Sequence, residues 1–192
     1  MSASREARFR VYATLLRKWN PAINLVSPAT LQKLEQRHLA DCQQVANLVD
    51  DPQGPWLDLG SGGGRPGLVV AICHPSLPVT LVDSDRRKVA FLQTAIRELE
   101  LGRCAAVAAR IDDLPPAAAR HLSARALAPM DRLVPYLARH LANDGTAWLM
   151  KGRNWQDELR SAQRDWRFQA TAHPSATDPE AAIIQICGLQ RV

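Results

Sequence analysis

No stretch of about 18 consecutive apolar residues occurs in the 192-residue sequence, so no segment reads as a membrane-spanning helix. The four cysteines, Cys42, Cys73, Cys104 and Cys187, are widely spaced. Without a Cys-x-x-Cys pair or a Cys/His cluster they suit neither a disulfide framework nor a zinc site, and they point to a metal-free protein of the reduced cytoplasm. The first residues are charged and lack the apolar core of a signal peptide. Internal repeats and low-complexity tracts are absent, which excludes a solenoid or a disordered chain. No catalytic triad or carboxylate dyad stands out, and His74, His121, His140 and His173 show no ligand spacing.

What is present is an ordinary globular composition, 46% apolar, in a chain of a length that suits one domain with a short extension. A net charge of +5, from 24 Lys and Arg against 19 Asp and Glu, permits a nucleic-acid partner without requiring one.

Residues 5–19 carry Phe9, Tyr12, Leu15, Leu16 and Trp19 at steps of three and four, the pattern of an amphipathic helix, which Asn20-Pro21 is expected to stop. A second helix is expected to begin near Ser27-Pro28 and a third to span about 38–49. His38 and Asp41 fall on one face of that third helix, as a structural pair. Beyond the loop Asp51-Pro52-Gln53-Gly54-Pro55 the pattern changes. Strands are predicted over 56–59, 79–83, 104–108, 122–127, 146–150, 166–171 and 182–187, with helices over 66–73, 85–99, 131–141 and 155–165. The fourth strand has a poor composition for one. Alternation of this kind predicts an α/β fold with a mostly parallel seven-stranded sheet covered on both faces. The last two strands follow without a helix between them and should form an antiparallel edge. The expected division is a helical extension over 1–50 and a single α/β unit over 51–192.

Asp58-x-Gly60-x-Gly62-x-Gly64 falls where the first strand meets its crossover helix, the place where such sheets bind ligands. Its third glycine comes one residue too early for a pyrophosphate-binding loop, and Asp58 would be a poor neighbour for phosphate. This counts against a nicotinamide-dependent oxidoreductase. Asp58 could orient the loop or meet an ammonium group, and Asp83, at the end of the second strand, stands where ribose-binding acids occur. Arg86, Arg87 and Lys88 form a basic run at a helix start, a solvated face or a contact for a nucleic-acid backbone.

Trp19-Asn20-x-x-x-Asn24-Leu25, His38-Leu39-x-Asp41, Asp58-Leu59-Gly60-Ser61-Gly62-Gly63-Gly64-Arg65-Pro66-Gly67, Val82-Asp83-Ser84, Arg87-Lys88-Val89-x-Phe91-Leu92, Arg110-Ile111-Asp112-Asp113, Arg125-Ala126 and Lys151-Gly152 together resemble the RsmG (GidB) family of bacterial 16S rRNA guanine-N7 methyltransferases. The resemblance runs from about Trp19 to Glu158. It implies a Rossmann-like class I methyltransferase, S-adenosylmethionine as methyl donor, 16S rRNA or a 30S particle as partner, and a monomer. Cofactor contacts carry over to Gly60, Arg65, Ile111, Asp112 and Arg125, beside the loop positions Asp58, Gly62 and Gly64 and the ribose position Asp83. In this chain Arg65 stands where the family usually has a bulky apolar residue, Ala124 where Ser is usual, and Asp112 where Glu is common.

Guanine N7 carries a lone pair and no proton, so such a reaction needs no general base. Arg125 and Lys151, near strand ends on the ligand side, are the candidates for positioning substrate. Methyl transfer to a small molecule or a protein, and an RNA-binding relative without turnover, are the alternative readings.

Overall fold

The computed structural model describes residues 4–27 and 39–192. Helix α1 (Arg5–Ile23) starts where Ser4 accepts a hydrogen bond from the Ala7 N–H at 3.2 Å. It buries the Tyr12 and Leu16 side of its stripe. The expected stop at Asn20-Pro21 is too early, because the helix runs through Pro21 to Ile23. The break comes at Asn24, which takes the left-handed conformation (φ 49°) while its N–H bonds to the Asn20 carbonyl at 2.9 Å. The Asn20 side chain also accepts from the Val26 N–H at 2.8 Å and so turns the chain beyond the helix. Helix α2 covers Ala40–Asn47, inside the expected 38–49. The helix expected from Ser27-Pro28 and the histidine of the expected His38–Asp41 pair lie outside the described residues.

The rest alternates as expected: β1 (Trp56–Leu59), α3 (Gly67–Cys73), β2 (Val79–Asp83), α4 (Arg86–Glu98), β3 (Cys104–Ala108), a single 3-10 turn at Ile111–Asp113, β4 (Ala119–Arg125), α5 (Met130–His140), β5 (Leu141–Lys151), α6 (Trp155–Ala162), β6 (Trp166–Pro174) and β7 (Ala182–Arg191). The sheet order is β3-β2-β1-β4-β5-β7-β6. β1 to β5 are parallel, while β7 runs antiparallel to both β5 and β6. The order reverses at β1, whose neighbours are β2 and β4, and this reversal opens the ligand crevice beyond the strand ends.

β4 is the strand with the least strand-like sequence, and it lies at the centre of the sheet. Its polar Ser123 is fully buried, accepting from Trp56 Nε1 at 2.9 Å and donating to Asp58 Oδ1 at 2.5 Å. A buried hydroxyl with both roles filled carries little penalty.

Two apolar layers cover the sheet. One joins Tyr12, Leu16 and Val45 of the N-terminal helices to Leu68 and Ile72 of α3 and Phe91 and Leu92 of α4. The N-terminal segment is thus built into the main core. The other layer packs Leu133, Val134 and Leu137 of α5 on Leu59, Leu122 and Ile184.

Candidate functional site: two cavities that share a wall

The loop after β1 is shaped by backbone demands. Gly62 has φ +54°, which side-chain-bearing residues avoid, and its N–H donates to Asp83 Oδ2 at 2.8 Å. Asp83 Oδ1 accepts from the Asp85 N–H at 2.9 Å, so one carboxylate ties the loop to the end of β2. Ser61 adds a second tie: its N–H donates to the Val82 carbonyl at 2.9 Å, its hydroxyl donates to the Asp58 carbonyl at 2.9 Å, and the Val82 N–H donates to that hydroxyl at 3.1 Å. Gly67 lets α3 rest on β1, since a Cβ there would lie 2.5 Å from Asp58 Cβ and 2.5 Å from Leu81 Cδ2.

Above this loop is a cavity of about 460 Å³, within the range of small-molecule sites. Of the residues expected at the cofactor, Gly60, Gly62, Arg65, Asp83, Ile111, Asp112 and Arg125 all line it. Asp58 and Gly64 do not. Asp58 is fully buried beneath the loop, and burial pushes its carboxyl up to about 6, with the hydrogen bond from Ser123 pulling the other way. It supports the loop from below. Gly64 packs on Leu68 and the Tyr12 hydroxyl. Of the basic run at the start of α4, Lys88 lines the cavity, while the exposed Arg87 pairs with the N-cap Asp85 at 3.2 Å.

The N-terminal helices also reach the loop. The Tyr12 hydroxyl, fully buried, donates to the Gly63 carbonyl at 2.5 Å. Burial raises the Tyr12 phenol well above its usual value, so it stays a donor. Arg125 Nη1 lies 3.4 Å from Cys42 Sγ on α2. Burial raises the Cys42 thiol as well, which keeps it protonated.

A second cavity, of about 600 Å³, adjoins the first. The two share Arg125, Ala126 and Leu127, the residues that end β4 and follow it. Ala126 holds φ +50° there, a left-handed turn at a residue that is not glycine. Lys151 lines the second cavity from the end of β5. Its side chain is only 8% exposed, and its ammonium donates to Glu158 Oε2 at 2.7 Å and to the Ala128 carbonyl at 2.8 Å. Glu158 Oε2 also accepts from the Met130 N–H at 3.0 Å. Lys151 therefore braces the segment that follows the wall. Asp41 also lines it, its Oδ1 accepting from the Ser175 hydroxyl at 2.8 Å.

Sequence reasoning singled out neither Ser61, Tyr12, Cys42 nor Glu158 for the site. Ser61 sat within the glycine motif, and the phenol of Tyr12 was a polar group in a largely apolar stripe. Glu158 and Cys42 carry no signal of their own, because their partners come from other parts of the chain.

A seven-stranded sheet with its last strand pair antiparallel, and a glycine loop at the switch point, defines the class of Rossmann-like methyltransferases. Solved structures agree on the fold. The chain superposes on a TehB-like SAM-dependent methyltransferase from Corynebacterium glutamicum with a TM-score of 0.63 at 15% identity, over 93% of this chain and 98% of that one. An O-methyltransferase (NcsB1) from neocarzinostatin biosynthesis, solved with S-adenosylmethionine, gives 0.64 at 18% identity, over 96% of this chain and 70% of that one.

The sequence narrows the class. Residues 5–184 match the model of the GidB family, rRNA small subunit methyltransferase G. The chain is 54% identical to ribosomal RNA small subunit methyltransferase G of Paracoccus denitrificans over 191 residues, covering 99% of each protein. The protein belongs to the rRNA small subunit methyltransferase G family.

Proposed function

We propose that the protein transfers a methyl group from S-adenosylmethionine to N7 of a guanine in 16S rRNA, with the first cavity holding the cofactor and the second receiving the base. The observation that carries this reading is the shared wall Arg125–Leu127, which brings two small-molecule-sized cavities together at the strand ends of a chain from this family.

The residues fit the donor. Gly62 leaves open space over the loop: beyond its chain neighbours, the Gly60 carbonyl oxygen at 3.8 Å is the one atom of the described residues within 4 Å of where its Cβ would be. Asp83 keeps lone pairs for ribose hydroxyls beyond the two backbone bonds it accepts. Leu25, Ile111 and Leu127 supply apolar contact around them. Arg65 brings two buried guanidinium nitrogens with no partner among the described residues. Bound S-adenosylmethionine supplies an electrophilic methyl group on a positively charged sulfur.

The protein's own part is placement. Arg125 faces both cavities and is held against Cys42, where a guanidinium can donate to guanine O6 or to a phosphate. Lys151 and Glu158 fix the chain after the wall. N7 carries no proton to be removed, so alignment suffices; well-oriented reactants can gain on the order of 7–11 kcal/mol. We also infer a monomer acting on the 30S particle in the cytoplasm. Among the described residues the exposed large apolar side chains are Val11, Val107 and Val192, too few and too scattered for an obligate apolar interface.

The test is methyl transfer from labelled S-adenosylmethionine to 30S particles from cells lacking the protein, with the labelled nucleotide identified. Label on guanine N7 of 16S rRNA is the expected result. Unlabelled 16S rRNA in particles competent for the reaction would refute the acceptor while leaving the fold intact.

A further inference from the structure

Arg65 lines the cofactor cavity with no carboxylate paired to it among the described residues. Its Nε and Nη1 are buried, and neither has a hydrogen-bond partner among the described residues. The groups that act on it electrostatically are Tyr12, Arg125 and Cys42, and no carboxylate is among them. Tyr12 and Cys42 are held neutral by burial, and Arg125 is a second cation. The acids that line the same cavity are engaged elsewhere: Asp83 with the backbone N–H groups of Gly62 and Asp85, and Asp112 with Tyr136 at 3.4 Å and Arg110 at 3.8 Å. Burial and the neighbouring Arg125 both pull the Arg65 guanidinium below its usual value. A guanidinium does not discharge in proteins, so this environment calls for an anion brought by a ligand.

We propose that Arg65, beside Arg125, binds the carboxylate of the methionine end of S-adenosylmethionine. The assignment rests on the cofactor reading above and adds the group that Arg65 recognises. S-adenosylmethionine carries a sulfonium, an ammonium and one carboxylate. The unbalanced guanidinium of Arg65 repels the first two, so the carboxylate is the part of the ligand it can hold. A phosphate on an RNA backbone is the other anion available, but Arg65 lines the cavity over the glycine loop and not the second cavity, the one proposed to receive the RNA base. At this position the chain would hold its cofactor by charge pairing in place of apolar contact.

The test is calorimetric titration of the full-length protein with S-adenosylhomocysteine and with its decarboxylated analogue, which keeps the amine and lacks the carboxylate. Arg65→Leu should weaken S-adenosylhomocysteine by about 10- to 100-fold, the range of a charge-assisted hydrogen bond. It should leave the analogue within about twofold of the wild type, because the removed partner is absent from that ligand. Arg65→Lys should recover part of the loss. Equal weakening of both ligands would make Arg65 a packing residue and overturn the assignment, as would no change in either. Unchanged S-adenosylhomocysteine binding with a raised KM for the 30S particle would give Arg65 to an RNA phosphate and also overturn it. Failure of the wild type to bind either nucleoside would remove the cofactor reading and this one with it. Intact wild-type binding with an unselective variant would remove the carboxylate assignment alone. Ligand-free Arg65→Leu should melt at or above the wild-type temperature, since an unbalanced buried charge has been taken away; a lower Tm would show that the charge is already balanced and count against the proposal.

Discussion

The two cavities adjoin, and they are made in different ways. The first cavity, proposed for the cofactor, is built largely from chain segments that follow one another: the turn after β1, the end of β2 and the 3-10 turn after β3. Its shape comes from left-handed backbone that favours glycine and from the Gly62 and Asp85 N–H groups held by Asp83. The second cavity draws on Asp41, on the segment after β4, on Lys151 and Gly152, on Glu158 and on residues between Ser175 and Ile183. It is made of side chains that meet only once the sheet has closed. A site dictated by backbone leaves a motif in the sequence; a site assembled from side chains leaves scattered residues. The first cavity can therefore be read from the chain, and the second needs the fold.

The largest effect that separates them should come from Gly62→Asp. The new residue must hold φ +54°, and its carboxylate enters a loop whose N–H already serves Asp83. Loss of cofactor affinity on the order of 100-fold or more is expected, from backbone strain and like-charge repulsion together. Equilibrium dialysis of the folded variant checks it. Unchanged affinity would take the loop out of the cofactor site and dissolve the contrast between the cavities.

Asp58→Asn probes the support beneath the loop. The carboxyl moves from its ordinary 3.8 to about 6 on folding, so the folded state binds the proton more tightly. Wild-type stability from this group is fullest below the unfolded value near 4 and declines as pH rises through about 6, by about 3 kcal/mol in all. The asparagine variant should lack this decline, so its stability relative to wild type rises from pH 4 to pH 8. Urea titrations at the two pH values measure the difference; a constant difference would mean that Asp58 keeps an ordinary pKa.

Lys151→Ala acts on the second cavity alone. It strands Glu158, which is 29% exposed, so a stability loss of about 2 kcal/mol is expected, less than for a fully buried pair. Turnover on 30S particles should fall while S-adenosylhomocysteine affinity stays level. Loss of cofactor affinity would show the cavities to be coupled through the wall. The smallest effect belongs to Tyr12→Phe, which removes one hydrogen bond to the Gly63 carbonyl and should cost about 1 kcal/mol. Thermal melts, with and without S-adenosylhomocysteine, show whether the free loop or the bound one bears that cost.

The same contrast explains what the sequence disclosed of the fold. Each of the seven strands and the order of the helices after β1 followed from period and punctuation. β4 was the hardest, because Ser123 belongs there only by virtue of Trp56 and Asp58 on the neighbouring strand. The end of α1 was misplaced at Pro21, since a proline near a helix terminus yields to a cap formed four residues beyond Asn20. In the site, Gly60, Gly62, Asp83 and Arg125 were legible as motif positions. The burial of Asp58 was not, because the chain does not say that Gly67 will bring α3 down on it. Nor could it show that Lys151 would already be engaged by Glu158.

The narrow contact between the cavities bears on how such a protein can change over time. Among the described residues only Arg125, Ala126 and Leu127 belong to both linings. Most of the second lining can drift toward a new acceptor without disturbing the cofactor side, and the cofactor side can exchange an apolar residue for Arg65 without redesigning the acceptor side. Those three positions answer to both sets of demands at once, and descendants of this architecture with different acceptors should differ least there.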